Sequence, residues 1–224
     1  MLSPDEYKRR FSEPSVGQPG ATKDAETRAG RALASALDIR KFEIDLYWKR
    51  ATYFWAFIAA AFAGYGLTYK TAADLEPWLS TVFSSLGLVF SVAWHLVNRG
   101  SKFWQNNWER HVDLLEDMTL GPLYKVIAVS DESIKGNPLS SPGQFSVSRV
   151  NQILSGFVTT VWLLLFVKSL LPISTDLPVD IPRIAVLLIT VVFLYFLVRY
   201  GKSSNQYSES GLHERDISAS KRHS

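Results

Sequence analysis

The chain contains no cysteine among its 224 residues. This absence excludes disulfide bonds, thiolate metal sites and cysteine nucleophiles. The sequence also lacks a phosphate-binding glycine loop, a His-Glu-x-x-His helix and a nucleophile elbow, and its four histidines are scattered over positions 95, 111, 213 and 223. We therefore predict that the protein is not an enzyme and that it binds no metal or cofactor.

A concentrated basic surface is missing as well. The net charge is only +3, and the basic residues near the N-terminus are interleaved with acidic ones, namely Asp5, Glu6, Glu13, Asp24 and Glu26. No pattern of aromatic residues suited to base stacking accompanies them. We predict that nucleic acid is not a partner.

Long apolar runs are what the sequence does have. Hydrophobic residues make up 47% of the chain and concentrate in four blocks, at 47–69, 77–97, 151–171 and 183–199. Each block is about as long as a helix that crosses roughly 30 Å of hydrocarbon. The sequence therefore predicts an all-α protein with four transmembrane helices, long juxtamembrane cytoplasmic helices and membrane lipid as a partner.

Lysine and arginine set the predicted orientation. Of the 24 basic residues, 10 lie in residues 1–50, 6 between 99 and 149, and 5 from residue 199 onward. Cytoplasmic segments of membrane proteins carry an excess of these residues. We therefore predict that both termini and the segment between spans two and three are cytoplasmic.

Several aromatic residues lie near the predicted span ends: Trp48, Tyr53, Trp55, Trp78 and Trp94. Amphipathic rings are favoured at the boundary between membrane and water. We interpret these residues as interfacial anchors.

The polar segments differ in predicted order. Residues 1–21 are rich in proline and glycine and are predicted to be a disordered arm, and residues 200–224 a polar tail. Thr22 is suited to cap a helix that covers 22–46 and continues into the first span, since no proline interrupts it. Residues 98–150 combine an amphipathic helix with a Ser/Gly/Pro-rich connector.

The amphipathic helix after span two has apolar residues at helical spacing, namely Phe103, Trp104, Trp108, Val112 and Leu115. One interpretation is a face for oligomerisation or for a soluble protein partner. The alternative is that this face packs against the leader helix or lies in the headgroup layer.

Span one carries small residues at intervals of four, at Ala56, Ala60 and Gly64. This spacing lets helix backbones approach closely within membranes. We predict a helix-packing face there, either within one subunit or between subunits.

Span two carries a stripe of mostly polar residues along one line of the helix, at Thr81, Ser84, Leu88, Ser91, His95 and Asn98. Polar side chains facing lipid are costly, so the stripe is expected to face protein or water. The functional interpretation is a pore lining with Leu88 as a hydrophobic constriction. The alternative is ordinary bundle packing, in which the hydroxyls bond to carbonyls of the preceding turn.

Two segments resemble a known family. KFEIDLYWKRATYFW (41–55) and AWHLVNRGSKFWQNNWERHVDLLED (93–117) are similar to the RipA-family octameric membrane proteins, small inner-membrane proteins of bacteria also called 8xMP. The resemblance implies a homo-octamer in the bacterial inner membrane and, by analogy, a role in defence or envelope stress.

Two functional hypotheses follow. The first is a homo-oligomeric ring that forms a pore or channel, with the stripe of span two as its lining. The alternative is a non-conducting scaffold or sensor whose cytoplasmic helices recruit a soluble partner.

Overall fold

Four α-helices form the described part of the chain. The structure, a computed structural model, describes residues 3, 5, 6, 8, 9, 27–70, 78–126, 143, 145–171, 180–202, 211 and 212. The helices are α1 (Arg28–Lys70), α2 (Trp78–Leu115), α3 (Val147–Leu170) and α4 (Ile181–Tyr200), and a short 3₁₀ turn (Glu116–Met118) follows α2. No strand occurs in these ranges, and the predicted all-α class is confirmed.

All four helices are long and apolar enough to cross a membrane. The first two extend well beyond a bilayer span, with 43 residues in α1 and 38 in α2. Thr27 caps α1, because its Oγ1 accepts a hydrogen bond from the Gly30 N–H at 2.9 Å. The predicted cap Thr22 and most of the predicted arm 1–21 lie outside the described residues.

The other helix ends have local causes. Ser146 and Asp180 cap α3 and α4 by accepting hydrogen bonds from the N–H groups of Arg149 and Arg183. After α2 the chain turns at Gly121, whose φ of 74° is a backbone conformation that glycine adopts without steric cost.

The chain divides into two compact units. Unit 1 comprises residues 1–45, 103–144 and 203–224, and unit 2 comprises residues 46–102 and 145–202. The apolar spans belong to unit 2, whereas the described parts of α1 before residue 46 and of α2 after residue 102 belong to unit 1.

In unit 2, α1 buries one side at alternating steps of four and three residues, at Tyr47, Ala51, Phe54, Ile58, Ala61 and Tyr65. This spacing places all six on one line of the helix, as in coiled coils. Ring contacts show that α1 and α2 run antiparallel, since Trp55 packs on Trp94 and Phe57 packs on Phe90.

Trp162 of α3 lies at the centre of unit 2 with 0% of its surface exposed. Its ring contacts Phe62 at a centroid distance of 4.2 Å and Tyr65 at 6.1 Å. Gly87 of α2 lies against the same ring, because a Cβ atom at Gly87 would overlap the indole. Trp162 therefore joins three helices.

Helix α4 packs against the other helices of unit 2 along only one narrow side. Thr190 is its only buried residue, and Leu187 and Leu194 pack against the core. The Thr190 hydroxyl is hydrogen-bonded to Ser85 of α2. The remaining surface is mostly exposed Val, Leu, Ile and Phe, which is the composition expected of a helix in contact with lipid.

Unit 1 has its own apolar core, in which Leu33 and Ala36 of α1 are buried together with Val112 and Leu115 of α2. Trp108 and Met118 pack against this cluster. At one edge, Arg40 Nη2 lies 3.8 Å from Glu109 Oε1. The two long helices thus form an antiparallel pair here as well.

Candidate functional site

The polar stripe of α2 lies inside unit 2. Thr81, Ser84, Leu88, Ser91 and Asn98 are buried, and His95 is half-buried. Thr81, Ser84 and His95 have hydrogen-bond partners on α3, so the stripe faces protein, as the cost of polar groups in lipid predicts.

A hydroxyl network joins the N-terminal part of the stripe to Ser169 of α3. Ser169 donates its own proton to the Phe166 carbonyl at 2.7 Å, so its oxygen is available to accept from Ser84 Oγ at 3.0 Å. Thr81 Oγ1 donates to the Ser169 carbonyl at 3.4 Å. Ser84 and Ser91 also bond back to their own helix, as the packing alternative predicts, since Ser84 Oγ lies 2.8 Å from the Ser80 carbonyl and Ser91 Oγ donates to the Leu88 carbonyl at 3.0 Å.

His95 pairs with Ser155 of α3, with Nδ1 and Oγ 2.9 Å apart. Ser155 gives its proton to the Gln152 carbonyl at 2.9 Å, which leaves its oxygen as an acceptor. The network therefore assigns a proton to Nδ1 of His95. Nearby, Asn151 of α3 donates through Nδ2 to the Tyr47 hydroxyl.

Two buried donors near His95 have no hydrogen-bond partner among the described residues, namely Asn98 Nδ2 and Trp94 Nε1. Buried unpaired donors are uncommon and usually have water or another acceptor in the functional state. In the described ranges, no three His, Asp or Glu side chains are grouped so as to hold a metal ion. The pore-lining role of the stripe stays a prediction.

The predicted packing face of span one is covered within the subunit only at Gly64. Ala56 and Ala60 are exposed, and only Gly64 is buried. A Cβ atom at Gly64 would overlap the Phe83 ring, so this glycine is a close-approach point between α1 and α2. The two exposed alanines remain available to lipid or to another subunit.

The face predicted to contact other subunits or a partner is partly buried within the subunit and partly exposed. Val112 and Leu115 are buried in the core of unit 1, and Trp108 packs against that core. Phe103 and Trp104 are exposed, with their rings in edge contact at 5.3 Å. Packing against the leader helix accounts for the first three residues, and an external partner remains available to the last two.

Glu116, which follows the last residue of α2, was not among the residues predicted from sequence, and its carboxylate is 0% exposed. Its Oε2 accepts the Tyr124 N–H at 2.7 Å, and its main-chain carbonyl accepts three N–H groups, from Thr119, Leu120 and Gly121. Glu116 thereby orders the turn formed by residues 116–126, which we call the tip. The available signal was an acidic residue directly after the apolar pair Val112 and Leu115.

Asp117 forms two ion pairs that also hold the tip in place. Lys125 Nζ lies 2.6 Å from one of its carboxylate oxygens and Lys8 Nζ 3.2 Å from the other. Hydrogen bonds from Lys125 and Lys8 lower the pKa of Asp117 below its ordinary value. The ordered tip nevertheless exposes large apolar side chains, namely Leu120, Leu123, Tyr124 and Val126.

His111 gives unit 1 a pH dependence. Burial lowers the pKa of His111 below 6.5, because the charged imidazolium loses hydration there. Below pH 6.5 the unfolded chain binds a proton more readily than the folded unit, so stability falls as the pH decreases through the lowered pKa. We expect amide exchange at Val112 and Leu115, corrected for its intrinsic pH dependence, to accelerate between pH 6.5 and 5. The variant His111→Gln should not show this acceleration, and an identical profile for both proteins would contradict the prediction.

Comparison with known proteins gives one match. The family model described as "Octameric membrane protein family (8xMP)" matches residues 31–171, a range that includes α1 from residue 31 onward and all of α2, the tip and α3. No curated protein and no solved structure matches the chain.

Proposed function

Because the chain belongs to the octameric membrane protein family, we propose that eight copies form a membrane platform whose tips recruit a soluble protein. The observation that supports this proposal is the exposure of large apolar side chains on the tip. Leu123 is 65% exposed on a turn that Glu116 and Asp117 hold in place. Apolar side chains on an ordered surface in water favour contact with another protein.

An octamer would present eight tips at once. When several weak sites act on one partner or on a cluster of partners, later contacts form at high effective concentration and the overall affinity rises without new contacts. A platform of this kind needs no catalytic group and no conducting path. Burial of the α2 stripe against α3 within each subunit is consistent with that role.

A photo-reactive amino acid in place of Leu123 tests the platform in cells. With the reactive group at position 123, we expect a covalent adduct that is heavier than one subunit. With the reactive group at Ala34, an exposed residue of α1, we expect no adduct. With the reactive group moved to Leu120, another exposed position of the tip, the variant Leu123→Glu should lose the adduct and retain the octamer mass. Equal labelling at both positions would contradict recruitment by the tip.

A pore is the second candidate, and the polar stripe favours it, since the buried Asn98 Nδ2 in that stripe has no hydrogen-bond partner among the described residues. Reconstituted octamers would then release ions or a small dye from liposomes. Leu88→Ser should raise the flux, whereas Leu86→Ser, at an exposed position two residues away, should not. No flux from vesicles that contain intact octamers would leave the platform as the function.

A further inference from the structure

Two phenylalanines in unit 1 are exposed outside the apolar spans. Phe42 of α1, between Lys41 and Glu43, is 58% exposed, and Phe103 of α2 is 52% exposed. Covering such rings is favourable because it removes apolar surface from water. Neither ring is covered by the described residues of its own subunit.

The helical phase places these two rings on opposite outer sides of the helix pair. Phe42 lies nine residues after Leu33, and Phe103 lies nine residues before Val112. Nine residues are about two and a half helical turns, so each ring faces away from the buried residue. Leu33 and Val112 belong to the same core, so Phe42 and Phe103 face in opposite directions.

An exposed charge accompanies each ring on its own side. Asp38 precedes Phe42 by four residues, and Arg110 follows Phe103 by seven, spacings that share a helix face. The charges are opposite, and neither side chain forms an ion pair with a described residue. The Arg40–Glu109 contact at 3.8 Å places these two residues opposite each other in the antiparallel pair. Asp38 lies two residues before Arg40 and Arg110 one residue after Glu109, so Asp38 and Arg110 differ by about 2 Å or less in position along the helix axes.

We propose that the α1 side of one copy, with Asp38 and Phe42, packs against the α2 side of the next copy, with Phe103 and Arg110. Such a contact joins two different surfaces, so every copy offers both and a ring can close. The proposal rests on the octameric assembly in the proposed function, but not on recruitment by the tip or on conduction. In this contact a neighbouring copy covers Phe103, which belongs to the predicted oligomer or partner face and is exposed in the single subunit.

The absence of native cysteine allows a direct cross-linking test. In the full-length octamer, Phe42→Cys together with Phe103→Cys should give a ladder of covalent multimers with a short thiol-specific cross-linker. Each single-cysteine variant alone should give none, because a contact between different surfaces does not bring identical positions together. Mixed octamers of the two single variants should give dimers. Cross-linking of either single variant, or none in the double variant, would overturn the proposal.

A charge exchange gives an independent result. Asp38→Arg places two arginines at every contact, and we expect the particle mass in detergent to fall below eight times the subunit mass of 25.2 kDa. Adding Arg110→Asp should restore the octamer, whereas Lys202→Glu, at an exposed site on another element, should leave it intact. An octamer that survives Asp38→Arg, or a double variant that stays dissociated, would overturn the proposed contact. Both readouts are particle masses, so failed flux or failed recruitment by the tip is distinguishable from failure here.

Discussion

Trp162→Ala should reduce the free energy of unfolding of the detergent-solubilised protein by about 3 kcal/mol or more, which is the usual loss when a large buried aromatic is truncated. The indole is fully buried and is in contact with the rings of Phe62 and Tyr65. Truncation would leave a cavity between α1, α2 and α3, and the residues that line it would lose their packing contacts. Lipid cannot enter a cavity that lies inside the bundle.

Denaturation with a graded mixture of harsh and mild detergent, followed by circular dichroism, measures this loss. Leu164→Ala is the matched control, since Leu164 lies on the same helix but is mostly exposed. Exposed substitutions usually change stability by less than about 0.5 kcal/mol. If the two variants unfolded together, Trp162 would not be the residue that joins the three helices.

The four helices were predictable because a membrane-spanning helix requires a long run of apolar residues, which is visible in the composition of each segment. A helix in lipid must satisfy its backbone internally and remain apolar over about twenty residues. The bounds of α4, Ile181–Tyr200, lie within two residues of the predicted 183–199. The extension of α1 through residues 28–46 was predictable from the lack of proline.

The buried side of α1 between Tyr47 and Tyr65 was not predicted, since nearly every residue of span one is apolar and no polar residues mark the opposite side. Ala51 and Ala61 are buried, whereas Ala56 and Ala60, the same residue type, are exposed. The remaining signal was the spacing of four and three from Tyr47 to Tyr65. Aromatic positions were similarly ambiguous: Trp48 and Trp55 are exposed as anchors would be, but Trp94 is buried against Trp55.

The stripe of α2 shows a different limit. Its existence and its need for protein or water were predictable from the cost of polar groups in lipid. Its partners were not, because Ser155 and Ser169 lie on a helix that follows in sequence after a long connector. Sequence spacing describes one helix at a time, whereas the partner depends on how helices assemble.

Gly87→Ala should lower the free energy of unfolding by about 1–3 kcal/mol, the usual cost of overpacking a core. Elsewhere in a helix this substitution is favourable by roughly 0.5–1 kcal/mol, because alanine loses less backbone entropy than glycine on folding. At Gly87 the new methyl group would overlap the ring of Trp162, which is enclosed on every side and has no exposed path along which to move. Steric conflict therefore outweighs the gain in helix propensity.

Gly100→Ala is the matched control because Gly100 lies in the same helix with no atom near the added Cβ. We expect this control to unfold at the same denaturant level as the original chain or at a higher one. Combining Gly87→Ala with Trp162→Phe should recover part of the loss, since the smaller ring makes room for the methyl group, and a double-mutant cycle measures that coupling. Additive effects in the cycle would mean that the two residues do not share the contact that fixes α2 against α3.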